Sequence, residues 1–87
     1  MTNNQINKIT AKVNEHLKNG LIEITRSGIF GNDFKTKDGS FEAKEIKIAG
    51  YRCYQITING SIEEKYYTLC TAYKMINEFI KNKYQTK

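Results

Sequence analysis

The sequence predicts an α+β fold in which a helix, a three- to four-stranded antiparallel sheet and a second helix form a two-layer sandwich. Three observations lead to this prediction. Apolar residues recur at helical spacing towards both ends of the chain, strand-like alternation fills the middle, and Asn59-Gly60 is a strong hairpin signal. A chain of 87 residues supports one hydrophobic core, so we expect a single domain over residues 1–87.

The first helix is predicted over residues 4–19. Its apolar side chains lie three or four positions apart on one stripe, namely Ile6, Ile9, Val13 and Leu17. Thr2, or one of the two asparagines after it, can cap the start, because each side chain carries an oxygen that accepts from a free backbone N–H. Asn19-Gly20 predicts the end, since glycine readily adopts the left-handed conformation that terminates helices.

The middle of the chain predicts three or four strands. A β-prone run covers residues 21–25, and alternating apolar residues predict strands over residues 42–48, 51–58 and 62–67. Residues 26–40, which are rich in glycine and polar residues, predict a long loop or an irregular hairpin. A second helix is then expected after Thr68, whose hydroxyl can cap the first turn.

Strand alternation predicts one sheet face that packs on the helices and one that contacts water. The side chains expected to face the helices are Ile46, Ile48, Tyr54, Ile56 and Ile58. Those expected to face outward are Lys47, Tyr51, Gln55, Thr57 and Tyr66. The assignment assumes a particular register at Ala49-Gly50, where a slip of one residue exchanges the faces of the preceding strand.

Charge and cysteine content narrow the range of functions. Fourteen Lys and Arg against nine Asp and Glu give a net charge of +5, which favours acidic partners. No apolar run approaches the length of a membrane span, and the first residues lack the pattern of a secretory signal, so we expect a cytoplasmic protein without membrane contact. Cys53, Cys70 and one histidine fall short of a four-ligand zinc site, so we expect free thiols and no metal or other cofactor.

The sequence lacks the residue combinations typical of an enzyme. The only histidine, His16, lies among lysines and asparagines on the first helix, where we expect it to be solvated. Glu63 and Glu64 are adjacent on a strand and therefore point to opposite faces rather than converging on a cleft. No glycine-rich segment has the spacing of a phosphate-binding loop. We therefore expect a non-catalytic binding protein.

Two regions are predicted to bind a partner: the aromatic and basic loop of residues 30–41, and the outward sheet face. Interleaved rings and cations suit stacking on bases or docking into a partner's pocket. The predicted contact residues are Phe30, Phe34, Lys35, Lys37, Lys47, Tyr51 and Tyr66. The alternative is that Phe30 and Phe41 anchor the ends of the loop to the core, and that tyrosine is abundant because it favours strands.

The second half of the chain has the order strand, tight turn, strand, capped helix. The residues that show this order are 51–60, 65–69, Ala72 and Ile76. In this respect residues 41–80 resemble integrase arm-binding domains and plant ethylene-response-type DNA-binding domains. The resemblance implies a sheet that binds DNA or RNA directly, although the acidic segment 61–64 departs from the basic hairpin of those families. The order of elements is also similar to double-stranded-RNA-binding domains, but the start of the last helix lacks their lysines.

A small chain rich in lysine, asparagine, isoleucine and tyrosine, with no catalytic set, is similar in kind to the proteins with which phages and mobile elements block host defence, anti-CRISPR proteins among them. This likeness implies an inhibitor that docks on a host nuclease or nucleoprotein. The alternative is a small regulatory or integrase-associated protein whose sheet binds nucleic acid. An exposed sheet edge also allows a homodimer to form across a twofold axis.

Overall fold

The computed structural model describes residues 2–27 and 32–84. Within these residues, two helices flank five strands along the chain. The elements are α1 Asn3–Lys18, β1 Ile22–Ser27, β2 Asn32–Thr36, β3 Phe41–Ile48, β4 Tyr51–Ile58, β5 Ser61–Tyr67 and α2 Leu69–Tyr84. Each strand pairs antiparallel with the next, which gives one sheet in the order β1-β2-β3-β4-β5. The α+β class is confirmed.

Both helices begin at a threonine cap. The Thr2 hydroxyl accepts from the Gln5 N–H at 3.2 Å, and the Gln5 side chain accepts from the Thr2 N–H at 2.9 Å, which is a complete capping box. The Thr68 hydroxyl accepts from the Thr71 N–H at 3.2 Å at the start of α2. Gly20, with φ of 78°, follows the end of α1. These local signals confirm the predicted helix boundaries to within one residue.

The sheet has five strands rather than three or four, because β2 lies within the predicted loop. Its sequence, Asn-Asp-Phe-Lys-Thr, has one apolar residue and no alternation to indicate a strand. It pairs with β1 on one side and β3 on the other, and the Asp33 carboxylate accepts from the Glu45 N–H at 2.9 Å and from Arg26 Nε at 3.2 Å. Neighbouring strands therefore set this conformation, not the intrinsic preference of its residues.

Two hairpins of the same turn type build the centre of the sheet. Ala49 and Gly50 have φ of 50° and 84°, and Asn59 and Gly60 have φ of 52° and 83°. Positive φ at both central residues is typical of the type I′ turn, which matches the right-handed twist of paired strands. Such a two-residue turn places Ile48 directly opposite Tyr51, so both side chains lie on the same face of the sheet.

This turn corrects the predicted faces of β3. Ile46 and Ile48 were expected to face the helices and Lys47 to face outward, but the register reverses all three. Phe41 and Ala43 are the buried residues of β3, opposite Ile58 and Ile56 of β4. The predicted inward positions of β4, which are Tyr54, Ile56 and Ile58, are confirmed by their burial or packing against the core.

The core lies between the helices and one face of the sheet. Helix α1 packs on α2 and β1, and α2 packs on β3 and β4. The fully buried core combines residues of every layer: Val13, Ile22, Phe34, Phe41, Ala43, Tyr54, Ile56, Ala72, Ile76 and Ile80. The Phe34 ring contacts the rings of Tyr54 and Tyr73 at centroid distances of 5.9 and 5.3 Å. These aromatic contacts connect the second strand to α2.

The helices run side by side in the same direction. Asn77 Nδ2 donates to the Ile9 carbonyl oxygen at 3.2 Å, and residues later in α1 lie next to residues later in α2. This packing buries His16, which is 7% exposed. The prediction of a solvated His16 is therefore wrong, because the residue lies one helical turn after the buried Val13 on the side of α1 that meets α2.

Candidate interaction surface

The side of the sheet away from the helices, here called the open face, is defined by the strand register. Side chains opposite one another on paired strands share a face, and faces alternate along each strand. Since Phe34, Ala43 and Ile56 point to the core, the positions between them point away. The rows of the open face are Ile48 and Tyr51; Ile46 and Cys53; Arg26, Asp33, Lys44, Gln55 and Tyr66; and Glu23, Lys35, Glu42, Thr57 and Ile62.

Four large apolar or aromatic side chains are exposed on this face. The exposed fractions are 40% for Ile48, 77% for Tyr51, 61% for Ile62 and 51% for Tyr66. We call these four residues the apolar strip. They extend along β3, β4 and β5 from the row of Ile48 and Tyr51 to the row of Ile62. At the usual rise of a strand, these two rows are about 20 Å apart. Neither helix covers them, because both helices pack on the opposite face.

The charges of the open face balance one another. Lys35 lies between Glu23 and Glu42 in one cross-strand row. In the next row Arg26 pairs with Asp33 at 3.2 Å, and Lys44 provides the third cation. Counted over residues 19–68, the sequence has seven basic and seven acidic residues. The sheet and its turns therefore carry no net charge. A neutral surface with exposed rings has little long-range attraction for a polyanion.

Three of the predicted contact residues lie on the open face. Tyr51 and Tyr66 belong to the apolar strip, and Lys35 is half-buried in the row that contains Ile62. Ile48 and Ile62 were missed as candidates. Alternation places Ile48 on the wrong face. Ile62 is predicted to begin the last strand and lies in the acidic segment 61–64, but no face is predicted for its side chain. The two-residue turn at Ala49-Gly50 was the signal that pairs Ile48 with Tyr51.

The other predicted contact residues do not join them. Phe34 is 3% exposed and belongs to the core, so its ring is closed to a partner. Lys37 is exposed in the turn after β2, where its backbone N–H donates to the Leu21 carbonyl oxygen at 3.0 Å. Lys47 lies opposite Arg52 on the side of the sheet that faces the helices. Phe30 lies outside the described residues.

A cavity of about 330 Å³ lies beside Tyr51 at the β3–β4 hairpin. The residues around it come from the end of β3 and the start of β4, namely Glu45, Ile46, Lys47, Gly50, Tyr51 and Arg52. This depression adjoins the exposed ring of Tyr51 and therefore offers a recess next to the apolar strip.

Residues 37–40, the last part of the predicted loop, form a hydrogen-bonded turn between β2 and β3. The Asp38 carboxylate accepts from the Ser40 N–H at 2.9 Å and the Ser40 hydroxyl at 2.6 Å, and it pairs with the ammonium of Lys83 on α2. The Lys83 ammonium first, and then the Ser40 hydroxyl, holds the pKa of Asp38 well below its usual range. Because Phe41 is fully buried at the end of this turn, the segment is anchored at its β3 end, as in the alternative considered for the loop.

Burial shifts the pKa of three titratable side chains in the described part of the chain, Tyr54, Tyr73 and His16. Burial raises the pKa of Tyr54 to about 12, with a smaller effect from Glu45, and burial also raises the pKa of Tyr73. Burial, together with Lys12, lowers the pKa of His16 below 6.5. Within residues 2–27 and 32–84, no cluster of three or more His, Cys, Asp and Glu could hold a metal ion.

Strand β5 forms one edge of the sheet and is exposed along most of its length. Its pairing with β4 is irregular between Gln55 and Thr57, and it carries the adjacent acidic residues Glu63 and Glu64. Bulges and charges on an edge strand oppose pairing with another edge. A homodimer formed through this edge stays a prediction. The two cysteines, Cys53 on β4 and Cys70 on α2, are free and half-buried.

Comparison of the chain with protein-family models, with curated proteins and with solved structures found no match. Among the described residues, neither helix combines the length and the apolar character required to cross a membrane. The interpretation of the open face therefore depends on its own geometry, composition and charge.

Proposed function

We propose that this protein is a non-catalytic inhibitor that docks through its open face on a host nuclease or nucleoprotein, in the manner of phage-type anti-defence proteins such as anti-CRISPR proteins. The observation that supports this proposal is the apolar strip. Its four side chains are exposed on a face that the rest of the fold leaves uncovered. Scattered single apolar residues are normal on a surface, but a continuous series on one face is typical of a site that another protein covers.

The chemistry of the strip suits a protein partner. Tyr51 and Tyr66 provide rings with polar tips, which are enriched among the residues that dominate the binding energy of protein interfaces. Glu23, Lys35, Glu42 and Lys44 surround them with balanced charges, as the polar rim of an interface does. A partner that covers this face removes the rings from water without leaving a surplus of buried charge.

Nucleic acid is a weaker candidate for this face. Proteins that bind DNA or RNA place lysines and arginines against the phosphates, and this contact supplies most of the nonspecific affinity. On the open face Lys35 and Lys44 are matched by Glu23 and Glu42. The DNA-binding role implied by the resemblance of residues 41–80 therefore lacks the surplus of positive charge that it needs at the sheet.

The proposal is tested by affinity capture from a bacterial lysate that contains CRISPR nucleases, with and without prior digestion of nucleic acids. We expect the chain to retain a nuclease after digestion and to inhibit its cleavage of DNA at equimolar ratio. Tyr51→Ser combined with Tyr66→Ser should abolish both effects. Leu69→Ser is the matched control, because Leu69 is also an exposed apolar residue but lies at the start of α2.

The results that contradict the proposal are equally definite. Retention that disappears on digestion identifies a polynucleotide as the target. Equal retention and inhibition by the wild type and the Tyr51→Ser, Tyr66→Ser variant exclude the apolar strip as the docking site. Turnover of a substrate by the purified chain contradicts a non-catalytic role.

A further inference from the structure

The net positive charge of the protein is concentrated in its helices. Helices α1 and α2 carry six lysines and two glutamates, whereas the sheet and its turns are neutral. The two layers therefore present different chemistry: a neutral, partly apolar open face on one side and a cationic helical surface on the other. This separation of charge is independent of the apolar strip.

A groove between the two helices concentrates this charge further. Two depressions follow one another along the helix pair, with volumes of about 450 and 330 Å³. Lys8 and Lys74 line the first, and Lys12 and Lys81 line the second. The spacings of four residues in α1 and seven in α2 place each pair on one side of its helix, so the lysines form two walls. Glu78 is the one carboxylate among the residues that line these depressions, and Lys12 also pairs with Glu15 at 3.6 Å in an exposed ion pair that salt screens.

The groove also contains polar atoms that the fold does not satisfy. His16 Nδ1 and Asn77 Oδ1 are buried, line the second depression, and have no hydrogen-bond partner within the described part of the chain. His16 is 93% buried, as its exposed fraction of 7% implies. Buried polar atoms are nearly always paired in native proteins, because desolvation without a partner costs about 1–3 kcal/mol. The two atoms are therefore available to a ligand in the groove.

We propose that the groove between α1 and α2 binds the phosphate backbone of single-stranded nucleic acid. Lysine is a compact point charge that suits phosphate, and the walls supply four of them. The groove extends from Gln5 to His16, about 16 Å of helix, which accommodates about four nucleotides of a stacked strand. His16 and Asn77 then hydrogen-bond to sugar hydroxyls or base edges at its floor.

The close packing of the two helices favours a single strand over a duplex. Packed helices have axes about 8–10 Å apart, so a duplex can rest across the lysines but cannot enter between them. An unpaired strand presents its base edges towards the floor residues His16 and Asn77, whereas the paired and stacked bases of a duplex do not approach them. This site is on the face opposite the apolar strip, so single-stranded nucleic acid and a protein partner can bind at the same time.

The test is a salt titration of binding to a short fluorescent oligo-uridine, measured by anisotropy. Binding of single strands weakens with a slope of about −0.7 in log affinity against log salt for each phosphate neutralised. Four lysines predict a slope of about −3, and Lys12→Ala combined with Lys81→Ala should reduce its magnitude by about 1.4. Lys44→Ala combined with Lys65→Ala removes the same charge from the sheet and should leave the slope unchanged.

A second variant distinguishes the hydrogen bonds of Asn77 from the charges of the lysines. Asn77→Ser should weaken binding at every salt concentration and leave the slope unchanged, because it removes an uncharged hydrogen-bonding group. Thermal unfolding of each variant shows that the fold is retained. Equal loss of slope in both lysine variants, equal affinity for duplex RNA, or equal competition by poly-glutamate would each overturn the proposal. None of these results bears on the apolar strip.

Discussion

Individual polar residues stabilise the connection between β2 and β3. The Thr36 hydroxyl is fully buried, donates to Asp38 Oδ1 at 2.9 Å and accepts from the Phe41 N–H at 3.1 Å. It thereby satisfies a buried backbone N–H that would otherwise lack a partner. The Asp38 carboxylate also accepts from the Ser40 hydroxyl and forms an ion pair with Lys83 on α2. A segment rich in glycine and lysine is therefore held by hydrogen bonds rather than by apolar contacts.

This arrangement predicts a dependence of stability on acid. The folded-state pKa of Asp38 is held well below its ordinary value of 3.8, chiefly by Lys83. A depressed pKa stabilises the folded state above the unfolded pKa, and the stabilisation is lost as pH falls below it. We expect Asp38→Asn to lower the free energy of unfolding at neutral pH and to flatten its decline below about pH 4. Urea unfolding across this pH range measures both effects, and parallel curves for wild type and variant contradict the prediction.

The contact residues show what the sequence could predict at the level of single positions. Tyr51 and Tyr66 were assigned to the exposed face on alternation alone, and they lie there. Phe34 was assigned to an exposed loop because its neighbours are polar. Its burial depends on Tyr54 and Tyr73, which are distant in sequence, so no local pattern could indicate it.

Among the secondary-structure elements, the two central hairpins allow a direct comparison of turn residues. Both use a positive φ at the first central position, where one has Ala49 and the other has Asn59. The left-handed conformation costs an ordinary L-residue about 1–2 kcal/mol, and asparagine tolerates it better through local hydrogen bonds. The β3–β4 turn is therefore the more strained of the two.

We expect exchange of these residues to act in opposite directions. Ala49→Asn should increase the free energy of unfolding by about 0.5–1 kcal/mol, and Asn59→Ala should decrease it by a similar amount. Both values are measured by urea unfolding. Destabilisation by Ala49→Asn would show that the conformation of this turn differs from the one described.

Elements with local signals were predictable, and those set by their neighbours were not. The helix caps at Thr2 and Thr68 and the turn at Asn59-Gly60 depend on residues adjacent in sequence. Strand β2 depends on pairing with β1 and β3, and the face of β3 depends on how its turn aligns it with β4. Alternation shows that every second side chain of a strand points to the same face. Which of the two alternating sets faces the core is decided by the pairing with neighbouring strands.

In the molecule as a whole, the helices and the sheet form two layers with different surfaces. The core uses one face of the sheet and both helices, so the open face contributes little buried surface. Net charge alone indicated acidic partners. The structure adds where the charge lies: the helices carry the surplus, and the sheet carries none. A sequence without its fold could not assign these two properties to opposite sides.

We infer that the exposed side chains of the open face are not needed for folding, which leaves them free to contact a partner. The most direct test compares the free energy of unfolding of two variants. Tyr51→Ser, Ile62→Ser and Tyr66→Ser combined should remain within about 1 kcal/mol of the wild type, whereas Ile56→Ala, which truncates a fully buried residue, should lose about 2–5 kcal/mol. A loss in the triple variant as large as that of Ile56→Ala would contradict the claim, because the apolar strip would then be part of what stabilises the fold.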